Sequence, residues 1–221
     1  RHARGHAMVL AVILWIVAAI VGFTGASDRG IAGPLKGADF VHFYTLGHLA
    51  SSQRIAPMYD GALLHDAQVE LIPESAPEIY PPVYPPQAAV LFAPVSRLSY
   101  QSALLIWCLI TIAGYGLIVR SAWKPVADAL PDRVFVLAAA AAFAPFWSLV
   151  LHGQVTVVLL ASFWAGWLAP ERGRDWLAGF GFGLSALSWW SMDIGGFSVP
   201  GRFSRRTPTA ENADEWRELQ T

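Results

Sequence analysis

The sequence predicts an all-α fold, a polytopic bundle of transmembrane helices, and three observations lead there. Hydrophobic residues fill 55% of the 221 positions and charged residues only 14%. That is too little charge to solvate a globule of this size, so the apolar surplus must face lipid. Uncharged runs recur at lengths close to the ~20 residues a helix needs to cross a hydrocarbon core. Trp123, Trp147, Trp167, Trp176, Trp189 and Trp190 fall near the ends of these runs, where an amphipathic indole is favoured at headgroup level. A net charge of −1, with no basic run interleaved with aromatics, sets nucleic acid aside as a partner. The one cysteine, Cys108, lies inside an apolar run and supplies neither an internal disulfide nor a multi-cysteine metal site. Arg1 stands where an initiator methionine is usual and Thr221 ends the chain in mid-pattern, so a fragment or a processed product is expected.

The first span is Met8 to Phe23, with no ionisable side chain between His6 and Asp28. Arg1 and Arg4 before it and the small residues Thr24 to Ser27 after it also suit a signal peptide; the later spans favour a retained anchor. Residues 24–85 form a long acidic loop carrying Asp28, Asp39, Asp60, Asp66, Glu70, Glu74 and Glu78. Within it Phe40, Phe43, Tyr44, Leu46 and Leu49 recur at helical spacing, which predicts an amphipathic helix along the membrane surface beginning near Asp39. Arg1 and Arg4 place the N-terminus in the cytoplasm and the loop outside. Pro86 to Val95 is apolar but short, either a re-entrant segment or a brief crossing. Leu98 to Val119, between Arg97 and Arg120 and free of proline, is the cleanest span. Val134 to Pro170 is too long for one crossing at ~1.5 Å per residue, so it must fold back, and the polar cluster His152-Gly153-Gln154 is its natural break. Trp176 to Met192 is a further candidate, giving four or five spans.

Several short motifs follow one another: Gly37-Ala38-Asp39-Phe40 after the first span, Tyr44, Tyr59, Tyr84-Pro85-Pro86 leading into an apolar run with Pro94, then Gly153-Gln154. In this order the chain resembles glycosyltransferase family 87, the polyprenyl-phosphate-mannose-dependent mannosyltransferases of the GT-C membrane fold, over about residues 8–187. The resemblance implies transfer of a hexose, mannose, from a polyprenyl-phosphate donor to a lipid or glycan acceptor, in a bacterial plasma membrane and without a cofactor. It implies that Asp39 is the catalytic base, because a lipid-phosphate sugar already carries its leaving group and the enzyme must mainly deprotonate and align an acceptor hydroxyl. Tyr44, Tyr84, His152 and Gln154 are the expected lining of the site. Asp39 also suits an N-cap, and the two roles are compatible.

The proline pairs after Tyr80 and Tyr84 form a rigid extended entry to the next segment, from which either tyrosine could stack on a sugar or a polyprenyl chain; Tyr84, leading directly into the apolar run, ranks first. His152 and Gln154, polar in an apolar stretch, mark a cavity or a hairpin tip. His42 and His48 read as interfacial. With no second histidine or carboxylate at metal spacing, no metal site is expected.

From about Leu187 the character changes. Trp190-Ser191-Met192-Asp193-Ile194-Gly195-Gly196-Phe197 and Glu215-Trp216-Arg217-Glu218-Leu219-Gln220 resemble a fragment of glycoside hydrolase family 31, in which Asp193 matches an aspartate that contacts sugar at the end of a barrel strand. A glycosidase needs a carboxylate pair across the bond; the upstream barrel that holds it is not in this chain, so hydrolysis is not expected. Residues 1–187 are thus expected to be a truncated membrane glycosyltransferase region, inactive alone. Residues 188–221 are expected to be a foreign, poorly ordered tail joined near residues 185–190. A non-enzymatic membrane protein or transporter subunit is the competing class, and it predicts charged or broken helices at mid-membrane.

Overall fold

A computed structural model describes residues 2–25, 28–30, 35–80, 84, 86–170 and 173–183. The fold is helical: α1 His2–Phe23, α2 Ala38–Ser51, α3 Gly61–Leu71, α4 Pro86–Phe92, α5 Tyr100–Trp123, α6 Arg133–Ala141, α7 Ala144–His152 and α8 Thr156–Leu168. Residues 175–183 are also helical. Among the described residues the only β pairing is an isolated antiparallel bridge between Arg29 and Leu35.

The 22 residues of α1 and the 24 of α5 reach about 33 and 36 Å at ~1.5 Å per residue, enough to cross a bilayer. On α1, Val9, Leu10, Val12, Ile13, Ile16, Val17 and Ile20 are exposed while Ala11 and Ala18 are buried. Large side chains therefore face lipid, and small ones let α6 and α7 approach. Helices α6 and α7 make a third path, bent by 48°. The sequence pattern predicts the end of this path: His152 closes α7 and Gly153, at φ 68°, caps it. It does not predict the bend at Ala142-Phe143, which Pro145 in the first turn of α7 explains, since proline removes a backbone donor and clashes with the preceding turn. α8, with 13 residues, is apolar but shorter than a crossing. Trp176 to Met192 is described only as far as residue 183, and the tail with both hydrolase-like motifs lies outside the described residues.

Side chains fix how these paths run. Arg4 Nη1 lies 4.0 Å from Asp132 Oδ2, while Asp132 accepts a hydrogen bond from the Phe135 amide at 3.0 Å and caps α6. The start of α1 and the start of α6 thus share one end of the bundle. At the other end, Gln101 Nε2 donates to Asp28 Oδ1 at 3.1 Å and the Tyr100 hydroxyl donates to the carbonyls of Lys36 and Gly37. The segment between α1 and α5 therefore begins and ends on the same side. α4 has seven residues, about 10 Å of helix, and it packs on α2. It is too short to be a crossing.

The surface helix predicted from Asp39 onward takes a different form. Phe40 to Gly47 and Leu49 are all buried, so α2 is enclosed on every side. It packs against α3, α4, α5, α7 and the turn Val95–Arg97. The reason is legible afterwards: between Phe40 and Leu49 the polar face contains only His42, Thr45 and His48, and a helix apolar nearly all round is an interior one. Its centre is an aromatic cluster. Phe43 stacks on Phe92 at 4.8 Å, Phe92 meets Trp107 edge-on at 4.6 Å, and Phe40 lies over Trp107 at 6.5 Å. This cluster ties α2 to α4 and α5.

Candidate functional site

Asp39 sits in the first turn of α2. It is not the N-cap: Gly37 holds that position, in a left-handed conformation and with no side-chain cap. A carboxylate in a first turn remains favourable to the helix dipole, and Asp39 is left to point elsewhere. Its Oδ2 accepts a hydrogen bond of 2.8 Å from Gln154 Nε2, across 115 residues of sequence.

The turn that presents Gln154 is held by backbone geometry. Gly153 has φ 68°, and a Cβ built there would stand 2.6 Å from Phe40 Cβ. Only glycine meets both the left-handed backbone and the close approach of α2. The Trp107 indole donates to Gly153 O at 3.1 Å, so the same aromatic residue that packs under Phe40 also pins the α7–α8 turn. Asp39 and Gln154 meet because each follows from this packing.

The tyrosines after α3 complete the wall. Tyr84 lies 4.5 Å from the Phe43 ring and 5.1 Å from the His42 ring; Tyr80 lies 6.1 Å from His42. Burial raises the Tyr84 phenol, and the Asp39 charge raises it further. Burial likewise pushes Tyr80 up to about 12, with the charges of Asp39 and Glu78 adding to it. Both phenols are therefore protonated at neutral pH and available as donors. His42, one turn along α2 from Asp39, is 3% exposed. Burial lowers its imidazole to about 4, so it is neutral.

Of the residues singled out in the sequence, the structure brings together Asp39, Gln154 and Tyr84. It does not bring Tyr44 and His152 to them. The Tyr44 hydroxyl donates to Leu98 O at 2.7 Å, and Tyr44 lines, with His48, Ser51 and Arg97, a groove that contains neither Asp39 nor Gln154. Five residues after Asp39, Tyr44 points to a different face of the helix. His152 is exposed, and its Nδ1 pairs with Ser148 O at 2.8 Å in the last turn of α7. Sequence reasoning read His42 as interfacial, whereas the structure buries it inside the protein, and it ranked Tyr80 second. The signal for His42 was its spacing: residues three apart on a helix share a face.

A cavity of about 310 Å³ lies beside this site, between α1, α5 and α7. Trp15, Leu105, Leu109, Ile112 and Leu151 form apolar walls, and Asp28, Lys36, Gly37 and Gln101 stand among its lining. It reaches Gly37, two residues before Asp39, without including Asp39 itself.

No curated protein and no solved structure matches the chain. Residues 83–188, which include Tyr84, His152 and Gln154 and adjoin the wall built by Asp39 and His42, match the family model of glycosyltransferase family 87.

Proposed function

We propose that these residues serve a membrane glycosyltransferase that moves a hexose, mannose, from a polyprenyl phosphate to a lipid or glycan acceptor, with Asp39 as the base. The observation that carries this reading is the 2.8 Å hydrogen bond from Gln154 to Asp39. It joins a carboxylate at the head of α2 to a side chain inside the stretch that matches the family. An amide on Oδ2 holds the carboxylate in one orientation, and Oδ1 is then the oxygen that meets the acceptor hydroxyl. The proton passes to Asp39, the acceptor oxygen forms its bond to the anomeric carbon, and the bond from that carbon to the phosphate oxygen breaks. Polyprenyl phosphate leaves with the electron pair. A positioned general base contributes about 10²- to 10⁴-fold to such a step.

The cavity between α1, α5 and α7 supports a lipid donor. Its apolar walls suit an isoprenoid chain, and Lys36, whose Nζ donates to Gly25 O at 3.3 Å, offers a cation for a phosphate near Gly37. Arg4 and Arg133 stand at the opposite end of the bundle, where Arg4 meets Asp132. That arrangement supports a cytoplasmic location for that end and an extracytoplasmic one for Asp39, as expected in a bacterial plasma membrane. A transporter reading gains nothing from the bend in the third path, because Ala142 and Phe143 are apolar and the bend follows from Pro145.

The test is made in isolated membranes after chromosomal substitution, with undecaprenyl-phosphate-[¹⁴C]mannose as donor. Asp39→Asn should reduce transfer at least ~100-fold with protein abundance unchanged. Gln154→Leu should reduce it less, by roughly tenfold, because it removes orientation and leaves the base. Wild-type rates with Asp39→Asn would end this reading.

A further inference from the structure

The His42 imidazole has no role in the base chemistry, yet its surroundings point to a ligand. The residue is 3% exposed, and its Nε2 is buried without a hydrogen-bond partner. Buried polar atoms in native proteins are nearly always paired, and an orphan costs about 1–3 kcal/mol of desolvation. The rings around it are those of Phe43, Tyr80 and Tyr84, at 6.1, 6.1 and 5.1 Å. Asp39 precedes His42 by three residues on α2, so the carboxylate lies about one turn from the orphaned nitrogen on the same side of the helix.

We propose that His42 is a substrate-binding residue: its Nε2 forms a hydrogen bond with a hydroxyl of a hexose held against Tyr80 and Tyr84, beside Asp39. This rests on the glycosyltransferase reading and extends it to sugar recognition. The chemistry favours a hydroxyl over a phosphate. An imidazole kept neutral by burial brings no cation to an anion, whereas a hydroxyl both donates and accepts and so satisfies either tautomer. Aromatic side chains that pair an apolar face with a polar tip suit a sugar, which has C–H faces and hydroxyl edges. The hexose is the donor sugar or the acceptor sugar, since the two meet at Asp39, and kinetics separates them.

The experiment compares wild type, His42→Phe and His42→Gln in isolated membranes, with undecaprenyl-phosphate mannose as donor and octyl α-mannoside as acceptor probe. His42→Phe keeps the ring packing and removes the nitrogen. It should raise one KM about tenfold, the value of one lost hydrogen bond. A rise for the donor assigns the donor sugar, and a rise for octyl α-mannoside assigns the acceptor. His42→Gln, whose amide reaches near the position of Nε2, should restore most of the affinity. Inhibition by bare undecaprenyl phosphate should be unchanged in both variants, because that lipid carries no sugar. Wild-type KM values in His42→Phe would overturn the proposal, as would equal loss of inhibition by bare undecaprenyl phosphate or failure of His42→Gln to recover. If Asp39→Asn abolishes transfer while His42→Phe behaves as wild type, the role of His42 alone is rejected. If wild-type membranes transfer no mannose, the reading beneath it is rejected as well.

Discussion

At the scale of single residues, His42 also controls how stability depends on pH. Burial lowers its imidazole from 6.5 to about 4. The rings facing it are those of Phe43, Tyr80 and Tyr84, and the two phenols are raised and uncharged at neutral pH. Between pH 6.5 and about 4 the unfolded chain takes up a proton at this position and the folded chain does not. Stability from this group is therefore complete above pH 6.5, and it is lost as pH falls towards 4. The whole loss is roughly 3 kcal/mol at ~1.4 kcal/mol per pH unit. Thermal unfolding in detergent micelles across that range should show wild type losing stability more steeply than His42→Gln; parallel curves would show that the imidazole is not held neutral.

At the scale of elements, the site depends on how closely α2 lies against α4. A Cβ built on Gly47 would stand 2.6 Å from the carbonyl carbon of Phe92 and 2.7 Å from its oxygen, and backbone cannot swing aside as a side-chain tip can. Gly47→Ala should therefore cost at least about 1–3 kcal/mol as an overpacked contact. Gly116 in α5 has open space around its Cβ position, so Gly116→Ala should leave the unfolding midpoint unchanged or raise it slightly, since alanine favours a helix over glycine. Equal midpoints for the two variants would show that α2 and α4 are not in contact. Sequence and structure agree here on where the helix lies and differ on how much of it is buried. The repeat of Phe40, Phe43 and Leu46 was enough to locate α2, but it did not show that Val41, Thr45 and Gly47 on the other faces would be enclosed too, because burial on those faces is decided by α3, α4 and α5.

At the scale of the whole molecule, the apolar cavity between α1, α5 and α7 and the carboxylate at the head of α2 adjoin at Gly37. If an isoprenoid chain occupies that cavity, a bulky side chain within it should weaken donor binding without touching Asp39. Ala19 lines the cavity from α1. Ala19→Phe should raise the KM for undecaprenyl-phosphate mannose several-fold, by steric exclusion of a few methylene contacts, and leave kcat near wild type. An unchanged KM would place the lipid elsewhere.

The sequence by itself determined the class of this protein and most of its helices. Apolar runs between Arg97 and Arg120, or between His6 and Asp28, state the cost of exposing polar backbone to lipid in local terms, and a polar cluster at His152-Gly153-Gln154 marks where such a run must stop. The resemblance to a glycosyltransferase family singled out Asp39 and Tyr84, and Gln154 was marked both by it and by its polarity within an apolar stretch. What only the tertiary structure decided is which of the candidates meet. Asp39 and Gln154 are brought to 2.8 Å by Phe40, Phe92 and Trp107 packing together and by the close approach of Gly153, while Tyr44 and His152 are drawn off by Leu98 and Ser148. Those choices belong to contacts between distant parts of the chain, and no local pattern contains them; the buried, unpaired nitrogen of His42 became visible only when the tyrosines closed around it.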